Sequence, residues 1–351
     1  MRLAKLKSLV LRRVLLLPAI VYLFIMISSL QKTQKLQINT LQSWCDNLRY
    51  EYPLNIDLEI LRFGLPLVSM YNYVDHINTW EFEYIHNPKE ACQSNWIEIL
   101  FVIKSSSGNT NRREAIRKTW GREALNYGGS KIIFSLGQTE NFEQQSEIEE
   151  EAGIYKDILQ SSFLDTYRNL TLKTMHNIRW ISEFCSTAKH VVMLDDDVIL
   201  NMKNVVKFFS DVKPFERKQL FAGYVATKSK PSRENKNNKF DVSYEEYPFT
   251  CYPDYVSGPL ILTTSKVIQM FDAAIPYVKR FVFEDVYLGM VAQKLGIQLT
   301  EKYNHRFDFD GTRIENFTCM ISSHQGVNIT GDIYQEIYEK YAHRTCVITT
   351  A

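Results

Sequence analysis

Three adjacent carboxylates, Asp195, Asp196 and Asp197, close the apolar run HVVML at 190–194. Carboxylates this close repel one another, and neighbouring buried aliphatic side chains make their charge costlier still. A divalent cation removes the conflict. Oxygen ligands suit Mg²⁺ or Mn²⁺, whose coordination is commonly completed by substrate phosphates. The plain alternative is an acidic surface turn. A second pair, Glu284 and Asp285, stands where the apolar piece RFVF meets a helix-like segment with Leu288, Val291 and Leu295 on one face and Gly296 at its end. An acid there can cap the helix and offset its dipole. It is also placed to take a proton from a substrate hydroxyl.

The elements that must carry these acids are legible by period. The run IEILFVIKSS from Ile97 reads as a strand ending in the turn cluster at 105–109, followed by a helical segment over about Arg112 to Trp120. KIIFSLG at 131–137 reads as a strand, and FEQQSEIEEEAGI as an acidic helix closed near Gly153. Leu172, Met175, Ile178, Ile181 and Cys185 recur three or four apart and mark one buried helix face. The strand HVVML and the aspartates come next. Strands alternating with helices predict an α/β fold around a mainly parallel sheet, with ligands bound outside the carboxyl ends of the strands. The polar, basic stretch KSKPSRENKNNK at 228–239 reads as a solvated loop or as a lid over an anionic ligand.

Composition bounds the function. The chain has 351 residues, 45% hydrophobic and 13% aromatic, enough for a full core of one large domain or two smaller ones. Lys and Arg number 41 against 40 Asp and Glu, a net charge of +1, so no global excess of positive charge points to nucleic acid. No P-loop, GxGxxG, HExxH or GxSxG is present, which weighs against P-loop hydrolysis, dinucleotide redox chemistry, zinc proteolysis and serine esterase chemistry.

The amino terminus reads as a membrane anchor. Arg2, Lys5, Lys7, Arg12 and Arg13 precede the uncharged run Val14 to Leu30, short but sufficient for a thin bilayer. A cleaved signal peptide is poorly matched, because Ser28-Ser29-Leu30 leads into QKTQK without a small-residue cleavage site. The positive-inside rule then leaves 1–13 in the cytosol and sends everything after the 14–30 anchor into the lumen. Residues 31–90 read as a stem and irregular lead-in, and 91–351 as the catalytic domain. The sequons at Asn169, Asn316 and Asn328 agree with a lumenal body. There Cys92, Cys185, Cys251, Cys319 and Cys346 can oxidise, while Cys45 can cross-link or stay free.

The ordered segments RREAIRKTWG (112–121), FSLG (134–137), DTYRNLTLKT (165–174), MLDDDV (193–198), YPDYVSG (252–258) and EDVYLG (284–289) resemble the β-1,3-glycosyltransferases of the galactosyltransferase and N-acetylglucosaminyltransferase type, glycosyltransferase family 31. The resemblance covers roughly Ile97 to Tyr341. It implies a GT-A-like fold, mixed and mainly parallel, and a type II Golgi membrane protein, single-pass, that is inverting, Mn²⁺-dependent and uses a UDP-sugar. Its acceptor would be a glycan on protein or lipid, and a homo-oligomer is compatible with it. Carried onto this chain, the resemblance makes Asp195, Asp196 and Asp197 the motif holding UDP through the metal. Asp197 and Asp195 would be ligands, Asp285 the catalytic base, and His324, after Cys319, a further ligand with His305 as the substitute. Arg113 and Arg117, a turn apart, could face the diphosphate or lie on a solvated helix face. Glu284, Ser257 and Gly258 would lie beside the acceptor or the sugar.

One departure stands out. Where the family pattern continues Ser257-Gly258 with a glycine and an aromatic residue, this chain has Pro259-Leu260-Ile261-Leu262. The leading expectation is an inverting β-1,3-hexosyltransferase transferring galactose or an N-acetylhexosamine. The alternatives are a carbohydrate-binding or chaperone-like relative without turnover, and a metal-dependent hydrolase of UDP-sugars.

Overall fold

The computed structural model describes Met26 and residues 76–79, 81–94, 96–233, 238–299, 301–326 and 328–342. The predicted cytosolic tail, the anchor apart from Met26 and the stem up to residue 75 lie outside the described residues. Among those described, no helix is long and apolar enough to cross a membrane.

In chain order the elements are β1 (Tyr84–His86), β2 (Ile97–Lys104), α1 (Thr110–Lys118), α2 (Trp120–Asn126), β3 (Lys131–Gln138), α3 (Phe142–Tyr155), β4 (Ile158–Leu164), α4 (Leu170–Phe184), β5 (Ala188–Asp195) and β6 (Val198–Leu200). There follow α5 (Met202–Asp211), β7 (Phe221–Ala222), β8 (Val225–Ala226), β9 (Tyr255–Val256), β10 (Leu260–Thr264), α6 (Ser265–Ala274), α7 (Glu284–Lys294), β11 (Phe307–Asp308), β12 (Ser322–His324) and α8 (Gly331–Tyr341). A seven-stranded sheet runs β1-β4-β3-β2-β5-β10-β7. Its centre, β4-β3-β2-β5, is parallel, while β1, β10 and β7 join antiparallel. The sheet is therefore mixed, parallel only in its middle. The chain returns beside β5 as β10 with Leu260 opposite Leu194, and that pairing sets the opposite direction.

Strand β2 explains why its sequence is apolar without alternation. Ile99, Phe101 and Ile103 enter one core with Ile116, Trp120 and Phe208, while Leu100 and Val102 are equally buried on the other face. A strand covered on both faces reads as a continuous hydrophobic run. Helix α4 is buried on more than the predicted face: Leu172, Met175, Ile178 and Ile181 are buried, and so are His176 and Asn177, which meet Phe163 of β4 and Ser135 of β3. The acidic helix α3 closes near Gly153 as the sequence predicts, ending at Tyr155, where Lys156 takes the left-handed conformation at φ 54°.

The segment assigned to the stem through residue 90 already belongs to the sheet, since Tyr84 and His86 of β1 pair with Ser161 and Gln160 of β4. Cys92, just after it, is disulfide-bonded to Cys185 at the end of α4. Cys251 and Cys319 are also disulfide-bonded. Residues 230–252 fall outside the unit that carries the sheet. Within them Arg233 donates to the carbonyls of Val242, Tyr247 and Phe249, so this part of the basic stretch is organised rather than merely solvated.

Candidate active site

The three aspartates stand at the carboxyl end of β5, and the backbone turns them in three directions. Asp195 N–H donates to the Pro259 carbonyl, Asp196 N–H to the Lys104 carbonyl, and the Asp197 carbonyl accepts from Gln325 N–H. Each side chain then meets a different neighbour. Asp195 pairs with Lys104 Nζ at 2.9 Å. Burial above all, with Asp197 and Glu284 nearby, outweighs that cation and pushes Asp195 up to about 6. Asp196 is saturated: Ser105 Oγ at 2.7 Å, Asn109 Nδ2 at 2.9 Å and Arg112 at 3.0 Å all donate to it.

Asp197 is different. It is buried, and its Oδ1 lies 3.4 Å from His324 Nε2 without an aligned hydrogen bond from any described group. The small sheet β11-β12-β6 makes this approach, because its register sets His324 opposite Val198, the residue after Asp197. His324 Nδ1 lies 2.8 Å from the Phe309 carbonyl, which leaves Nε2 aimed at the carboxylate. Burial opposes protonation of His324, but Asp197 and the Phe309 carbonyl prevail and push it up to about 8. Among the described residues no three His, Cys, Asp or Glu side chains form a ready cage for a metal. A buried carboxylate oxygen without a donor, facing an imidazole nitrogen, nevertheless fits a hard cation that takes its remaining ligands from a diphosphate and water.

The second acidic pair begins α7. Glu284 accepts from Lys104 Nζ at 2.9 Å, so one buried lysine at the end of β2 spans both acidic clusters. The same ammonium donates to the Gly258 carbonyl at 3.2 Å. A Cβ at Gly258 would stand 2.7 Å from Glu284 Oε1, so a side chain there would displace the carboxylate that Lys104 holds. Among the described residues Asp285 has only backbone donors, Val286 N–H at 2.7 Å and Gly258 N–H at 3.4 Å. Burial, then the Glu284 charge, raises it to about 7 against those donors and Lys104. A carboxylate poised near neutrality suits general base work.

Several predicted residues go elsewhere. Arg113 is wholly buried and clamps Glu151, with Nη2 2.6 Å from Oε2. Arg117 pairs with Glu151 at 2.7 Å and Asp157 at 2.8 Å. Neither guanidinium bonds an aspartate of the triplet directly, but Arg113 also donates to Ser105 Oγ at 3.2 Å and to the Ser106 carbonyl at 2.8 Å, which leaves it one hydroxyl away from Asp196. The arginine that does arrive is Arg112, fixed between Asp196 and the Ile329 carbonyl. His305 is exposed on a 3-10 turn, not paired with Asp197. Ser257 is buried, its N–H donating to the Tyr224 carbonyl at 2.8 Å. Asn316 and Asn328 are exposed; Asn169 is half-buried and donates to the Leu164 carbonyl. Of the departure PLIL, Ile261 and Leu262 are sheet interior, whereas Pro259 and Leu260 line a small cavity of about 20 Å³ with Ser257 and His324. Two larger clefts of about 470 and 580 Å³ include none of Asp195, Asp197, Asp285 or His324.

Other site residues carry no signal of their own in sequence. Lys104 reads there as the polar end of a strand. Lys173 ties Asp165 at 2.8 Å to the Ser105 carbonyl at 2.7 Å, and so supports the serine that holds Asp196. Burial and the charges of Glu284, Asp285 and Asp195 raise the Tyr167 phenol, which places it by the acidic site. Both Tyr167 and Lys173 fall in the DTYRNLTLKT segment, the only sequence cue to them.

In a sheet with a parallel centre, ligands bind outside the carboxyl ends of the strands, which is where Asp195, Asp196 and Asp197 stand. The galactosyltransferase family model matches residues 111–303, over half of the chain. The chain is 37% identical over 230 residues to beta-1,3-galactosyltransferase brn of Drosophila melanogaster, covering 65% of this chain and 70% of that protein. It is 30% identical over 291 residues to the lactosylceramide 1,3-N-acetyl-beta-D-glucosaminyltransferase of Mus musculus, covering 77% and 76%. Beta-1,3-galactosyltransferase 1 of Mus musculus is 33% identical over 233 residues, covering 65% and 71%. This chain belongs to the galactosyltransferase family, and it is a glycosyltransferase.

Proposed function

We propose that the protein is an inverting β-1,3-hexosyltransferase that moves galactose or an N-acetylhexosamine from a UDP-sugar to a glycan acceptor. The observation that carries this reading is the pair of acidic clusters joined through Lys104, which bonds Asp195 in one and Glu284 in the other. In the first, His324 Nε2 faces the unsatisfied Oδ1 of Asp197. In the second, Asp285 lacks a salt bridge of its own and is raised to about 7. Asp197 and His324, with Asp195 beside them, would hold Mn²⁺ or a similar cation. Such an ion supplies charge neutralisation for the departing diphosphate.

The chain's own groups supply the rest. Asp285 takes the proton from the acceptor hydroxyl as that oxygen forms its bond to the anomeric carbon. The bond from that carbon to the UDP oxygen breaks, and the electron pair leaves with UDP. One displacement inverts the anomeric centre, and no enzyme nucleophile is needed. Lys104 keeps Glu284 and Asp195 in place, so the base faces a fixed wall. The lumenal orientation of a Golgi type II protein follows from the basic residues before the 14–30 segment.

A donor screen with Mn²⁺, reading UDP release with and without acceptor, tests the reading. Acceptor-stimulated release from one UDP-hexose is expected. Release that acceptor does not stimulate would identify a hydrolase instead. For the topology, a secreted and active fragment beginning near Gln31 is expected, and its retention on membranes would overturn the anchor.

A further inference from the structure

The cavity beside His324 is lined in part by two aromatic rings, Tyr224 and Phe309. Phe309 is 42% exposed although it is a large apolar side chain. Its ring is stacked on Tyr224, with centroids 4.9 Å apart and planes 21° from parallel. Tyr224 is itself fixed, because its carbonyl accepts from Ser257 N–H, and the next residue, Val225, is bonded through both backbone groups to Asn304. Ser257 directly precedes Gly258, whose N–H faces Asp285.

The turn that presents Phe309 is equally constrained. Asp308 is buried and accepts from Ser323 Oγ at 2.5 Å and from Arg313 N–H at 3.2 Å. Gly311 has φ +72°, and a Cβ there would meet the His324 carbonyl at 2.8 Å. An exposed ring held this rigidly loses little conformational entropy when something covers it. Among ligands of the reaction, a pyranose offers a matching surface: an apolar face of C–H groups with hydroxyls around its edge. The donor enters the site through its diphosphate, on the Asp197 side. The Phe309 ring stands beside that side, 6.2 Å between centroids from His324, and through Tyr224 and Ser257 it is tied to Gly258, whose N–H faces Asp285, the base for the acceptor hydroxyl.

We infer that Phe309, braced by Tyr224, is the platform on which the sugar ring of the acceptor stacks, and that it helps to select the acceptor. The inference rests on the hexosyltransferase reading above. Phe309 presents its side chain to the acceptor and its carbonyl to His324, so side-chain replacement leaves the His324 contact in place.

The test uses the full-length protein in detergent with UDP-sugar, Mn²⁺ and the acceptor found in the donor screen. Phe309→Leu keeps apolar volume without an aromatic face, Phe309→Ala removes both, and Phe309→Tyr keeps the face. Acceptor KM should rise about tenfold in the Leu and Ala variants, the scale of one aromatic contact, and stay within about twofold of normal for Tyr. Donor KM and UDP affinity should not move, and UDP affinity also reports folding. An unchanged acceptor KM in folded Phe309→Leu overturns the inference. A rise in donor KM instead overturns it too, by assigning the ring to the donor sugar. Absence of acceptor-stimulated transfer by the unaltered protein would sink the hexosyltransferase reading itself, an outcome distinct from either.

Discussion

The turn after β5 and the start of α7 each place acids side by side, and the two regions treat them differently. After β5 each carboxylate has an identifiable counterpart: Lys104 for Asp195, three donors for Asp196, His324 for Asp197. At α7 the lysine goes to Glu284, and Asp285 is left with backbone N–H groups alone. The lesson is that adjacency in sequence does not assign a role. A carboxylate saturated by a guanidinium, a hydroxyl and an amide is a strut. One that is buried without a cation of its own is a group prepared to change its charge.

The strongest way to break this contrast is to remove the strut. Asp196→Ala leaves Arg112 buried without its carboxylate, and stability should fall by about 3–5 kcal/mol. Transfer per folded molecule should persist. Denaturant unfolding together with UDP binding decides: normal stability with lost UDP affinity would make Asp196 a donor ligand after all.

Asp285→Asn tests the opposite member. It cannot take the acceptor proton, so transfer should drop by about 10²-fold or more, with UDP affinity unchanged. In the unaltered enzyme, transfer should climb with pH and level off above about 7, following ionisation of Asp285. Near-normal transfer by the Asn variant, or a limb centred near pH 4, would reduce Asp285 to a helix cap.

Asp197→Ala sharpens the difference within the first cluster. Mn²⁺-supported UDP affinity should weaken by about tenfold or more, while UDP binding without metal stays as it was. Calorimetric titration with and without Mn²⁺ separates these, and equal metal dependence in variant and parent would defeat the ligand assignment.

The smallest effect concerns stability near neutrality. Because Asp285 is raised from 3.8 to about 7 in the folded state, the native protein binds that proton more tightly than the unfolded chain does. Its contribution is full below about pH 4 and is lost as pH rises through 7. Asp285→Asn should flatten that decline, seen as a higher melting temperature than the parent at pH 8. A variant that melts lower at every pH would show that capping outweighs the cost of the buried charge.

Local chemistry made much of this readable. The alternation of strand and helix, the buried face of α4, the stop at Gly296 and the two acidic clusters all follow from short-range pattern, and the described structure bears each of them out. Patterns failed where the deciding partner is distant in sequence. Arg112, Arg113 and Arg117 share one helix and one chemistry, and only the packing of α1 against α3 and the aspartate turn sorts them into one support and two struts on Glu151.

By itself, then, the sequence determined which residue types could do the chemistry and the strands and helices that deliver them, because those depend on composition and on periods of two and 3.6 residues. Tertiary structure alone decided which carboxylate is neutralised and which is left reactive. Lys104 reaches Asp195 and Glu284 only because β2 lies beside β5 and α7 packs on β9. His324 finds Asp197 only through the register of β12 on β6. Charge state is set by burial and by the nearest opposite charge, and both are properties of three-dimensional neighbours rather than of chain order.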